Sequence, residues 1–344
     1  SDLEDVSADR KILAEFDDTD PDLGYIHGPV SIVLMEDDAW YLVTGNGFLP
    51  DSRDACLYLL PLADISNMSP IRIMVPESGT RGLAAPAVID SDGNGKADIA
   101  YAGDLAGNLW KFDLANRSVA KHRLYDAGEK QPVTTRPEVA AHPDGGFMVY
   151  FGTGSLLSDE DAANMERQSI YAVHDYPGRS RTVVEADLQA PADLQLDEVL
   201  AHGKRLRTGG SHTPTAVARG WKVDLPEAGE RLLKRPLLRS GRLQFISTHG
   251  QIINGRQVPA SWYMELDWLG GGSSGRAISD FNGDGMLTDK DMVSHEGLMV
   301  PAVGEYLGAG LFSRMRIAHT ASGSDVAFIN GLEFGRRDLA LQGQ

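Results

Sequence analysis

Two short segments concentrate oxygen-bearing side chains at alternating positions: "DSDGNGKAD", from Asp90 to Asp98, and "DFNGDGMLTDKD", from Asp280 to Asp291. Calcium takes about six to eight oxygen ligands, and a short loop supplies them by alternating ligand residues with turn formers. In the first segment the donors are the side chains of Asp90, Asp92 and Asn94, the backbone carbonyl of Lys96, and Asp98, directly or through water. Gly95 falls at the sixth position, where such a loop must turn sharply. In the second segment Asp280, Asn282 and Asp284 hold positions one, three and five, with Gly285 at six, the Met286 carbonyl at seven, Thr288 at nine and Asp291 at twelve. Neither carries the Glu that closes an EF-hand at position twelve, which is Tyr101 in the first and Asp291 in the second. The "GNGK" of the first segment is not a phosphate loop, since Asp90 stands where the leading glycine belongs and Ala97 where Ser or Thr must reach magnesium. A plain hairpin tip is the alternative, because Asp, Asn and Gly are ordinary turn formers. Three acids and an amide at alternating positions repel one another without a cation, so calcium is the stronger reading.

The bulk composition agrees. With 49 acidic and 32 basic residues among 344, the formal net charge is -17. That disfavours sequence-independent binding to nucleic acid and direct insertion at anionic membrane, and favours cations as partners. The single cysteine, Cys56, rules out an intrachain disulfide and reads as a small apolar strand residue. No apolar run reaches membrane-spanning length. The opening "SDLEDVSADRKILAEF" reads as the interior of a longer product.

Catalytic patterns are scarce. "GGSSG" at Gly271–Gly275 matches a nucleophile elbow in letters, but that motif needs a strand before it and a helix after it. Here the glycines run into the second acidic loop and read as a linker. The nine histidines form no HExxH and no pair at ligand spacing, so zinc chemistry has no support. Trp40, Trp110, Trp221, Trp262 and Trp268 mostly fall on strand patterns and read as core. The alternative function is a quinoprotein-type propeller dehydrogenase using calcium and a quinone. No catalytic Asp beside a tryptophan platform supports it, and the chain is read as a non-enzyme.

The elements that must position the acidic loops are short β-rich runs punctuated by Gly, Asp, Asn and Pro. They recur in order: proline, strand, turn, a second strand ending near glycine, and a third with an aromatic. The units begin at Pro29, Pro86, Pro137 and Pro236, with a frayed fifth at Pro301 and "SDVAFING". Self-similarity at this spacing predicts an all-β propeller in preference to two stacked sandwiches. The stretch 180–215 has partly helical spacing and reads as an insertion between blades. "SLLSDEDAANMERQ" predicts a short helix within a blade, with Ser158 as N-cap and Asp161 three residues on.

At "AVIDSDGNGKADIAYAGDLAGNLWKFDL" the chain resembles the C-terminal β-propeller of the PilC/PilY family, tip-associated adhesins and biogenesis factors of type IV pili. Similar in the same order are "DPDLGYIHGPVSIV", "TGNGFLPDSRDACLYLLPL", "VYFGTGSLLSDED" with "IYAVHD", "GWKVDLPEAGERLLKRPLL", "SWYMELD" and "DFNGDG". The resemblance implies a modified seven-bladed propeller whose later blades occupy residues 1–344, with short helical insertions. It implies Ca2+ as cofactor, with the family's calcium loop on Asp90, Asp92, Asn94, Lys96 and Asp98. It also implies export through the periplasm to the pilus tip, and minor pilins, the tip complex and a host-cell or surface receptor as partners. Roles in pilus assembly, extension and retraction (twitching motility) and adhesion follow from the same resemblance. Two departures stand out: "QIINGRQVPA" lacks the cysteines that some members have before "SWYMELD", and no Arg-Gly-Asp triplet occurs.

Overall fold

The structure is a computed structural model. It describes residues 20–312 except 53, 64–68, 77–78, 116–120, 179–180, 190–195, 211–217 and 278, and beyond these the strands Arg316–His319, Asp325–Ile329 and Leu332–Arg337. The opening segment and parts of the 180–215 stretch thus lie outside the described residues. The chain divides into two compact units, Ser1–Arg136 and Pro137–Gln344.

The first unit holds two antiparallel sheets of four strands, the size of a propeller blade. One runs in the order Ser31–Leu34, Trp40–Gly45, Cys56–Pro61, Ile71–Met74. The other runs Lys121–Asp126, Asn108–Asp113, Ile99–Gly103, Ala87–Ile89. Alternate residues point to one face of a strand, and those faces meet: Met35, Tyr41, Val43, Leu57 and Leu59 share one core with Ala100, Ala102, Trp110 and Phe112. Register explains the fit. Ala100 lies opposite Phe112 and Ala102 opposite Trp110, so small residues on one strand leave room for aromatics on the next.

Asp104 organises the turn that aims Trp110. One carboxylate oxygen accepts from the amides of Ala106 and Asn108, both at 2.9 Å, and the other from Asn108 Nδ2 at 2.9 Å and the Trp110 indole at 2.7 Å. Burial pushes this carboxyl above its ordinary range, and the four donors oppose that shift.

The second unit repeats the scheme. A sheet of Glu138–Ala141, Phe147–Gly152, Ser169–Asp175 and Gly220–Asp224 again sets an alanine, Ala172, opposite a tryptophan, Trp221. Its core, with Tyr150, Ile170 and Val223, is shared with Leu243, Phe245, Trp262, Met264 and Leu266 of a seven-stranded sheet. That sheet is built around the long hairpin Arg242–Ile253 and Arg256–Asp267. Inside it lies a buried ion pair. Arg207 donates to both oxygens of Glu230, at 2.7 and 2.9 Å, and its guanidinium sits 3.8 Å from the centre of the Trp262 ring. Strands Arg316–His319, Asp325–Ile329 and Leu332–Arg337 form a separate sheet.

The expected helix is present at Asp159–Ala163, with Ser158 accepting from the Asp161 amide. Three expectations shift. The repeat was legible as three strands per unit, whereas Ile71–Met74, Lys121–Asp126 and Gly220–Asp224 each complete a sheet as a fourth. In the 180–215 stretch the partly helical spacing of Leu196, Val199 and Leu200 belongs to a β-hairpin, Leu196–Ala201 with Lys204–Gly209. His202 and Gly203 supply its two left-handed turn residues. The glycines at 271–275 form a packed turn instead of a linker. A Cβ on Gly271 would lie 2.5 Å from the Trp221 indole, and the Ser273 amide donates to the Gly210 carbonyl. No strand–Ser–helix arrangement exists there.

Candidate metal centre

The Asp90–Asp98 segment is the tip of the hairpin joining Ala87–Ile89 to Ile99–Gly103, whose register closes at Ile89 opposite Ile99. Its backbone is shaped by its own side chains. Asp90 accepts from the amides of Gly93 at 2.7 Å and Asn94 at 3.2 Å through one oxygen, and from Gly95 at 2.7 Å through the other. Asp92 accepts from the Asn94 amide at 3.1 Å, and Asn94 Oδ1 from the Lys96 amide at 2.7 Å. Gly95 has a φ of 88° and open space around the position of a Cβ, so glycine is needed for backbone conformation and not for room. Asp98 closes the loop by accepting from the Ser91 amide at 2.9 Å and the Ser91 hydroxyl at 2.5 Å.

Folded this way, the loop gathers its acids. Carboxylate oxygens of Asp90, Asp92 and Asp98 lie within 4.8 Å of one another, and no other such trio of acidic, His or Cys side chains occurs among the described residues. Asp90 and Asp92 are exposed and Asp98 is half-buried, so the cluster opens to solvent. Hydrogen bonding, led by the Gly95 amide, holds the Asp90 carboxyl below the usual aspartate range. A donor set of carboxylates, one amide and one backbone carbonyl, with no thiol or imidazole in the loop, suits a hard cation that accepts irregular oxygen geometry. The residues present fit calcium.

The neighbouring sheet reaches this loop through its first turn, residues 35–38. The Ala97 amide donates to the Leu34 carbonyl at 2.8 Å, and Met35 and Ala97 form a parallel bridge. Asn94 Nδ2 donates to Glu36 at 2.9 Å, and Lys96 Nζ pairs with Asp38 at 2.8 Å. That contact raises the Lys96 ammonium above its ordinary value. Glu36, Asp38 and Ser91 were not found from sequence. "EDD" reads there only as a turn, and nothing local signals that a segment some sixty residues away meets it.

The second loop starts identically. Asp280 accepts from Gly283, Asp284 and Gly285, Asn282 from Asp284, and Asp284 from Met286. It closes differently. Asp291 is fully buried and accepts from the amides of Asn282 at 3.2 Å and Thr288 at 2.9 Å, while Thr288 caps the short 3-10 turn Asp289–Asp291. Phe281 anchors this loop in a core with Leu206, Val293 and Ala302. Asp280, Asp284 and Asp291 do not converge as the first trio does.

Residues 6–125, which include the first loop, match the family model described as the PilY1 beta-propeller domain. A type IV pilus biogenesis factor PilY1 homolog of Xylella fastidiosa is 29% identical over 291 residues, covering 75% of this chain and 19% of that protein. Type IV pilus biogenesis factor PilY1 of Pseudomonas aeruginosa is 27% identical over 358 residues, covering 88% of this chain and 30% of that protein. The chain therefore spans less than a third of either relative. The crystal structure of the Pseudomonas aeruginosa PilY1 C-terminal domain shares the fold, with a TM-score of 0.74 at 21% identity, over 93% of this chain and 74% of that one. The sheets described above are thus blades of a modified β-propeller, and the chain is similar to PilY1 family members in sequence and in fold.

Proposed function

We propose that this chain is the propeller portion of a type IV pilus biogenesis factor whose Asp90–Asp98 loop binds calcium. The observation that carries the calcium reading is the convergence of Asp90, Asp92 and Asp98 within a segment that matches the family's propeller. Asn94 Oδ1 and the Lys96 carbonyl complete the set of donors. Bound calcium neutralises three acids in a chain of net charge -17 and fixes the tip of one blade. At free calcium about a thousandfold above the dissociation constant, one site adds roughly 4 kcal/mol to the folded state. That is enough to set whether a blade tip is ordered, and so to bias pilus extension against retraction.

The relatives' naming as pilus biogenesis factors supports a role in assembly. In this reading the protein acts at the pilus tip after export through the periplasm. It contacts minor pilins and attaches to a host cell or surface, working by binding and placement instead of catalysis. No helix among the described residues is long and apolar enough to cross a membrane. Trp110, Trp221 and Trp262 are consumed by the cores, which leaves none of the three as an open stacking platform. Asp280, Asn282, Asp284, Met286, Thr288 and Asp291 form a second and weaker calcium site in this proposal.

Calorimetric titration of the protein and of Asp98→Ala tests the reading. Saturable calcium binding that collapses in the variant, together with altered twitching and surface attachment in bacteria carrying it, is the expected result. Binding that is unchanged in the variant, or absent from both proteins, overturns the site.

A further inference from the structure

We infer that the turn Glu36–Asp38 of the neighbouring sheet positions the ligands of the Asp90–Asp98 loop, so that calcium binding is coupled to the contact between the two sheets of the first unit. The inference rests on the calcium reading of that loop and adds to it residues from outside the loop.

Consider what each acid of the turn does. An amide carries an oxygen and an NH2 group on diverging bonds, and only the oxygen can ligate a cation. Glu36 and Asp92 both accept from Asn94 Nδ2, at 2.9 and 3.2 Å. Glu36 thus holds the NH2 group from outside the loop while Asp92 holds it from within, and this fixes the amide with Oδ1 toward the Lys96 amide. Asp38 acts on the residue that donates its backbone. Lys96 is asked for a carbonyl ligand, yet its ammonium would repel the ion if it folded over the loop. The ion pair with Asp38 holds that ammonium to the neighbouring turn. Asp38 itself has a φ of 61°, within a turn closed by its amide donating to the Met35 carbonyl.

Backbone contacts lock the arrangement. Ala97 stands between the seventh- and ninth-position ligands, and its amide donates to the Leu34 carbonyl. Ala97 and Met35 are both buried, and Met35 belongs to the core that joins the two sheets. Any shift of the turn relative to that core therefore moves Lys96 and Asp98 as well. Groups that orient metal ligands from outside commonly change affinity by about 10- to 100-fold when removed. Because Glu36 and Asp38 are exposed, the low end applies.

The test is calcium calorimetry on the full chain and on Glu36→Ala, Glu36→Gln, Asp38→Ala and Asp98→Ala, with metal-free thermal unfolding to show that each variant folds. Glu36→Ala and Asp38→Ala are expected to weaken calcium by about tenfold each. Glu36→Gln keeps an acceptor for Asn94 Nδ2 and should recover most of the affinity. If it behaves like Glu36→Ala, Glu36 acts by charge alone and its positioning role is overturned. Unchanged affinity of the tighter binding event in both alanine variants, while Asp98→Ala loses that event, overturns the coupling and leaves the calcium site standing. Absence of binding by the unaltered protein overturns both.

Discussion

In both acidic loops the first residue accepts from the amides at positions four, five and six, the third from five, and the fifth from seven. After that the paths part. The hairpin-tip loop ends at position nine on a half-exposed aspartate tied to a serine, and three carboxylates come together in the open. The other continues to position twelve, where a buried aspartate caps two amides and a phenylalanine pins the loop to a core. The residues beyond the shared beginning decide whether the acids converge in the open or the last of them is used to finish the fold.

The strongest way to break this contrast is to remove the first aspartate of each loop. Asp90→Ala should weaken calcium by at least about a hundredfold, roughly 2.7 kcal/mol, in calorimetric titration. Asp280→Ala should leave the tighter binding event within about twofold. Equal losses would erase the distinction. The closing residues should reverse the order when metal is chelated. Asp291→Ala removes a buried carboxylate from two charge-assisted hydrogen bonds and should cost about 2 kcal/mol or more in thermal unfolding with EDTA. Asp98→Ala should cost under about 1 kcal/mol there, since water reaches its partners.

The shared part should respond alike. Gly95→Ala and Gly285→Ala place a side chain at φ values of 88° and 82°, with no steric obstacle in either case. Each should cost about 1 kcal/mol by the same metal-free measurement, and a clear inequality would show that the two beginnings are not equivalent. The smallest effect concerns acid. A carboxyl whose folded value is lowered stabilises the fold above its unfolded value, and that contribution is lost as pH falls through the folded value. For Asp90 the loss therefore lies below the ordinary aspartate value of 3.8. The Gly95 amide resonance should report a midpoint there, and a midpoint at or above 3.8 would contradict the hydrogen-bonded loop.

Much of this was legible in the chain. Alternating Asp and Asn with Gly at the sixth position marked both loops because the bonds that shape them are local. The blade repeat was visible for the same reason, in strands bounded by Gly and Pro. The fourth strands were harder. "IRIM" and "KHRLYD" are short and half-buried, and their place is set by pairing with Cys56–Pro61 and Asn108–Asp113. Leu196–Ala201 carries apolar residues at helical spacing, and only the pairing with Lys204–Gly209 makes it a strand. Glu36 and Asp38 depend on one sheet packing against another, and Arg207 finds Glu230 only when the larger sheet assembles. Local chemistry is written in order along the chain, whereas contacts between sheets are not.

The identical bonding of Asp90–Lys96 and Asp280–Met286 has a consequence for how such sites are acquired. One copy sits on a tight hairpin and the other precedes a 3-10 turn, yet the seven residues fold the same way in both settings. They behave as a cassette whose shape travels with its own side chains. Grafting it into another hairpin would carry the shape along, while the affinity would have to be supplied anew by the residue that closes the loop and by whatever surface faces it.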